Sequence, residues 1–184
     1  MIESDPLTFI TLTPLVVGLA LLVLPYIAPA SMADFTRKIA RSFSMGIALA
    51  IFAITSALFL GQIGNIDWLD ITQGQYVFQN ESVILVESIG VRWVVGVDAL
   101  SFPMVWVTAM LIPVSMLVEW DAKKGHIFHP LILIMEGALI GVFVVLDLFV
   151  FYVFWELTLI PMFFLILVWG GDCLLYTSPS PRDS

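Results

Sequence analysis

The chain has 184 residues, 60% hydrophobic and 12% charged, with a formal net charge of −8. Soluble domains usually hold about 25% charged residues and roughly half apolar ones, so a water-soluble fold would have nowhere to place this much apolar surface. The scattered Lys and Arg form no basic stripe and exclude nucleic-acid binding, and the single Cys173 allows neither an internal disulfide nor a cysteine metal site.

Five apolar segments predict an all-α integral membrane protein with five transmembrane helices. In chain order, the spans cover about residues 7–30, 43–60, 99–118, 127–146 and 148–169. The first follows an acidic N-terminus, Met1-Ile2-Glu3-Ser4-Asp5-Pro6. Signal peptides need positive charge there, so this run is read as a retained span. The stretch from Ile127 to Trp169 is roughly twice the ~20 residues that one crossing needs. It must fold back on itself, with Asp147 as the turn.

Arg37, Lys38 and Arg41 lie between spans one and two, and Lys123 and Lys124 between spans three and four. Basic loops mark the cytoplasmic side, which places the N-terminus outside. The segment from Gln62 to Asp98 then also lies outside, with Asp67, Asp70, Glu81, Glu87 and Asp98 against one Arg92. Within it, Ser82–Glu87 and Val91–Val95 flank Ser88-Ile89-Gly90 and predict a short β-hairpin. Asp98 and Ser101 read as the N-terminal cap of span three. His126 and His129, beside Lys123 and Lys124, read as a polar inter-helix loop. Only Glu119 and Asp121 could join them, so no metal site is expected. Trp93, Trp106, Trp120, Trp155 and Trp169 read as interface or packing residues. After Asp172 the composition shifts abruptly to Ser and Pro; residues 173–184 read as a non-native tail, leaving residues 1–172 as the membrane unit.

Ionisable groups inside a span are expensive to bury and are functional candidates by default. Two qualify, Glu136 in span four and Glu156 in span five. Counted from Asp147 at ~1.5 Å per residue, they lie about 16 Å and about 13 Å deep. Glu156 has the more informative surroundings, because Pro161 withholds a backbone donor and frees the carbonyl of Leu157 beside the carboxylate. A helix lining a wet cavity can use such a break, and a carboxyl able to gain and lose a proton there meets the requirement for a relay. Glu136 is the weaker candidate: Gly137 and Gly141 beside it form a small-residue face for helix packing. No nucleotide loop or iron–sulfur cysteine set occurs, so the chain itself binds no cofactor or metal.

Three runs, Gly96-Val97-Asp98-Ala99-Leu100-Ser101-Phe102-Pro103, Gly141–Phe149, and Phe154-Trp155-Glu156-Leu157-Thr158-Leu159-Ile160-Pro161-Met162-Phe163-Phe164-Leu165-Ile166 with Trp169-Gly170-Gly171, carry a family resemblance. They closely resemble the NADH-quinone oxidoreductase subunit M family, chain 4 in mitochondria. The resemblance implies the first part of an antiporter-like bundle of fourteen helices with two inverted five-helix repeats, cut short before its second half. It also implies that Glu156 is the fifth-helix glutamate that holds a proton and pairs with a seventh-helix lysine, which this sequence lacks. Glu136 matches no essential family position. The implied partners are the L, N, K, J, A and H type subunits of a bacterial inner-membrane complex, with NADH, FMN, iron–sulfur clusters and quinone bound in those partners. The alternatives are a subunit of a multisubunit sodium/proton antiporter or membrane-bound hydrogenase, and a non-catalytic membrane scaffold.

Overall fold

The computed structural model describes residues 5–27, 33–62, 76, 78–79, 83–120 and 125–169. Lys123 and Lys124, most of the acidic outer segment and the tail after Trp169 lie outside the described residues. Five helices form: α1 (Pro6–Ile27), α2 (Ala33–Gln62), α3 (Ser101–Val118), α4 (Gly125–Val144) and α5 (Leu148–Trp169). Each is long and apolar enough to cross a bilayer, with a mean hydropathy between 1.8 and 2.5, and the chain is a multi-pass membrane protein. Helices suit this setting because every backbone donor finds its acceptor within the same segment.

Most boundaries match the sequence reading, but α2 begins some ten residues before the predicted 43. An apolar window stops at a charged turn, whereas a backbone ladder needs only continuity. Thr36 and Ala40 are buried in this added segment while Arg37 and Lys38 point outward. Helix α4 likewise starts at Gly125, two residues before the predicted 127, so His126 as well as His129 is helical.

The helices run up and down, so their ends gather into two groups. At one end, Nη1 of Arg41 donates to the carbonyl of Trp120 at 3.1 Å, and Trp169 packs edge-on against Phe128. This end brings Arg37, Lys38 and Arg41 together with the end of α3 and the start of α4. At the opposite end, Nε1 of Trp93 donates to Oγ1 of Thr8 at 2.9 Å, and Leu146 N–H donates to the carbonyl of Val94 at 2.9 Å. Arg37, Lys38 and Arg41 therefore stand at a helix start belonging to the first group.

The hairpin forms where the sequence puts it. Strand β2 (Val83–Val86) pairs antiparallel with β3 (Val91–Trp93), with an irregularity between Ile84 and Val86. Gly90 closes the turn at φ 71°, a left-handed conformation that glycine adopts without strain. A second two-stranded pair joins β1 (Phe78–Gln79) to β4 (Gly96–Val97).

Helix α4 is the centre of the bundle and packs against each of the other four helices. Of its spanning window 72% is buried, against 17% for α5. Glycines allow α1 to reach it: a Cβ on Gly137 would sit 2.7 Å from the carbonyl oxygen of Thr11, and one on Gly18 would sit 3.1 Å from that of Pro130. Such small residues let backbones approach where lipid offers no hydrophobic drive between helices. Gly137 and Gly141 do not serve one neighbour, because Gly141 receives the ring of Phe154 from α5. A Gly137→Val substitution should lower resistance to denaturant by about 1–3 kcal/mol through overpacking. Gly46→Ala should not, since nothing lies within 4 Å of its added carbon. Unfolding of the detergent-solubilised protein checks both.

Candidate functional site

Three aspartates begin the helices that start at the hairpin end. Asp5 accepts from the hydroxyl of Thr8 at 2.8 Å and from its N–H at 3.4 Å. Asp98 Oδ1 accepts from the N–H groups of Leu100 and Ser101 at 3.0 and 2.7 Å, while Ser101 Oγ accepts from Asp98 N–H at 3.1 Å. Asp147 Oδ1 accepts from Phe149 and Val150 N–H at 3.0 and 3.1 Å, and its Oδ2 accepts from Arg92 N–H at 3.2 Å. Each satisfies donors that the first helical turn leaves orphaned. Asp147 is therefore more than a turn residue, because it ties the hairpin to the α4–α5 corner. The caps of α1 and α5 escaped the sequence reading, although Pro6 directly after Asp5 is the usual signature of a helix start.

These bonds tune two carboxyls outside the spans. Partial burial pushes Asp98 up, but the hydrogen bonds it accepts from Ser101 and Leu100 outweigh this and hold it below the ordinary 3.8. The N–H groups of Val150 and Arg92 do the same for Asp147, with lesser help from Phe149 and the Arg92 charge.

The two carboxylates proposed from the sequence share a depth but not a surface. Glu136 lies eight residues before the end of α4 and Glu156 eight after the start of α5, about 12 Å from the connecting turn in each case. Phe154 is 5% exposed and points into α4. Glu156, two residues or ~200° further round the helix, points away from α4 and is exposed on the chain. Glu136 is 0% exposed, with no hydrogen-bond partner on either oxygen.

On the outer face of α5, Tyr152 stands one turn before Glu156, and both side chains are exposed on the chain. Tyr152, Val153, Glu156, Leu157 and Ile160 line an open groove of about 290 Å³. Sequence reasoning missed Tyr152, although its i, i+4 spacing places it on the face of Glu156. The role expected of Pro161 needs correction. Helix α5 runs unbroken through it, and Pro161 is buried with Val150 and Phe154 rather than beside the carboxylate. A single proline deletes one donor without ending a helix held by its neighbours.

The aromatic residues pack as expected. Trp106 Nε1 donates to Ser56 Oγ at 3.0 Å and stacks on Phe59. The Arg41 guanidinium lies 4.5 Å from the Trp120 ring centre, a cation–π distance. His129 is fully buried and meets Trp120 edge-on at 5.8 Å. No group of three or more potential metal ligands exists among the described residues.

This architecture defines a helical, multi-pass membrane protein with a carboxylate at mid-depth on an outward helix face. No family model matches the chain, but curated proteins do. It is 36% identical over 162 residues to NAD(P)H-quinone oxidoreductase chain 4 1 of Picosynechococcus sp., covering 87% of this chain and 28% of that protein. It is 38% identical over 138 residues to F(420)H(2) dehydrogenase subunit M of Methanosarcina mazei, covering 74% and 26%. The match to the Nostoc sp. chain 4 1 is 34% over 179 residues, covering 97% and 30%. The chain belongs to the family of NAD(P)H-quinone oxidoreductase chain 4 and F(420)H(2) dehydrogenase subunit M, and it spans 26% to 30% of the length of these relatives.

The aspartate caps carry a pH signature. Their folded-state values lie below the unfolded one, so their stabilisation is complete at neutral pH and is lost as pH falls below 3.8 and through the folded values. A D98N/D147N double variant should be less stable at pH 7 and lose less on acidification. Thermal unfolding at neutral and acid pH reads both effects.

Proposed function

We propose that this chain is part of a membrane-arm subunit of a proton-translocating dehydrogenase, with Glu156 as the group that takes up and releases the proton. The observation that carries the reading is the placement of Glu156. It stands at mid-depth on a face of α5 that the other four helices leave uncovered. Ionisable side chains at that depth face protein or water-filled cavities rather than acyl chains. The groove around Glu156 is therefore closed in the assembled complex by further helices, from the remainder of a full-length subunit or from adjoining subunits. A cation brought close to the carboxylate favours its charged form and expels the proton; withdrawing the cation reverses this. Tyr152 lines the same groove one turn away and offers a hydroxyl for the first transfer.

The relatives' names carry different electron donors, NAD(P)H in the cyanobacterial proteins and F420H2 in the archaeal one. The shared part then belongs to the ion-moving side of such enzymes. Flavin, iron–sulfur clusters, donor and quinone lie in the partner subunits, of the L, N, K, J, A and H type. By the positive-inside rule the end that carries Arg37, Lys38 and Arg41 faces the cytoplasm and the hairpin faces outward, a reading that suits the cell membrane of a bacterium.

The test is E156Q in a full-length subunit within its complex, with donor-driven proton uptake and quinone reduction followed in inverted vesicles. Loss of a positioned acid–base group should slow proton transfer by about tenfold or more, and E156D should retain part of it. Undiminished translocation in E156Q would show that another group does this work.

A further inference from the structure

The central helix buries a carboxyl group for which the surrounding packing provides nothing. Glu136 is among the fully buried side chains of the bundle, and neither oxygen meets a donor. Buried polar atoms are nearly always satisfied, and each exception calls for an explanation. A permanently ionised carboxylate cannot be the answer, because an uncompensated charge in an apolar interior is strongly disfavoured. Packing alone is a poor answer too, since an apolar side chain of similar volume would fill the site without that cost.

The charged and titratable groups around α4 can be named element by element. Among described side chains, α1 offers none between Pro6 and Ile27, α3 none between Ser101 and Val118, and β4 none. Helix α2 contributes Arg37, Lys38 and Arg41, all near its start. Glu119 stands exposed just beyond α3 at that same end. Helix α5 contributes Tyr152 and Glu156, which face away from α4. Helix α4 itself adds His126 and His129. No fixed cation therefore stands opposite Glu136 on the described residues.

Three of the buried polar residues form a sequence in depth. Arg41 sits over Trp120 and Trp120 against His129, which sets the start of α2 level with that of α4. Both helices run from this end toward the hairpin. Ser44, about one turn further along α2, is fully buried with its hydroxyl unpartnered. Glu136, about two turns beyond His129, returns to the same face of α4 because seven residues fall ~20° short of two full turns. Polar atoms thus step inward from the basic end to mid-span: His129, Ser44, Glu136.

We propose that Glu136 is a second proton-binding carboxyl, loaded from the basic end of the bundle along this buried polar file. It rests on the reading of the chain as part of a proton-translocating subunit and adds to that reading a site inside the bundle, separate from Glu156. A proton is the one cation that needs no enclosing set of ligands, and the described residues provide no such set.

Two variants in the full-length subunit within the intact complex separate relay from packing. E136Q keeps the shape and removes the exchangeable proton; E136D keeps the proton and shortens the side chain. With proton uptake per quinone reduced as the readout, the proposal expects E136Q to lose about tenfold or more, the scale of an acid–base group, and E136D to retain most of the rate. The reverse order, or an unchanged E136Q, overturns it. Should E136Q fail to assemble, the wild-type complex is treated with a carbodiimide, which modifies protonated carboxyls, and labelling at Glu136 is mapped by mass spectrometry. Labelling that declines as pH rises supports the proposal; labelling independent of pH, or none, overturns it. E156Q is scored separately in the same assay, so failure at Glu136 and failure at Glu156 are told apart.

Discussion

The bundle depends on the close approach of α1 to α4, made at glycine on both sides. Gly18 on α1 faces Ile134 and Pro130, and Gly137 on α4 faces Thr11, Pro14 and Leu15. In lipid the apolar side chains gain little by leaving their surroundings, so packing quality replaces hydrophobic burial as the source of association. Once α1 is seated, α2 and α3 cover another side of α4, and Phe154 of α5 closes the remainder over Gly141. Enclosure of α4 then determines what each carboxylate experiences. Glu136 is sealed because it belongs to the enclosed helix, and Glu156 is left outward because α5 spends its one buried face on α4.

The hairpin end shows a second constraint at work. Helices α1, α3 and α5 all begin there, and each begins with an aspartate that takes its first N–H groups. Negative groups at helix N-termini also complement the helix dipole. Arg37, Lys38 and Arg41 stand at the opposite end, where Arg41 binds the carbonyl of Trp120 just beyond α3 and lies over its ring.

Much of this was legible in the sequence. The spans, the fold-back at Asp147 and the Asp98 cap follow from hydropathy, length and local hydrogen-bonding chemistry. The hairpin follows from β-branched runs flanking Gly90. The start of α2 was not legible, because Arg37, Lys38 and Arg41 interrupt the apolar window without interrupting the backbone. His126 was misread as loop for a related reason: neighbouring lysines and Pro130 resemble a connection, yet α4 runs through Pro130, its sixth residue, as membrane helices tolerate. The facing of the carboxylates was the least legible feature. A soluble helix announces its buried side by a polar opposite face; α5 is apolar all round, so only the position of Phe154 against Gly141 reveals that Glu156 looks outward.

The central claim is that the outward face of α5 is covered by protein in the working assembly, around a carboxylate at mid-depth. A density map of the membrane complex containing the full-length subunit tests this most directly. The account predicts that Glu156 is enclosed by further helices, with a basic side chain or ordered water within hydrogen-bonding reach. A map showing Glu156 and Tyr152 against acyl chains, with no protein over the groove, would contradict it.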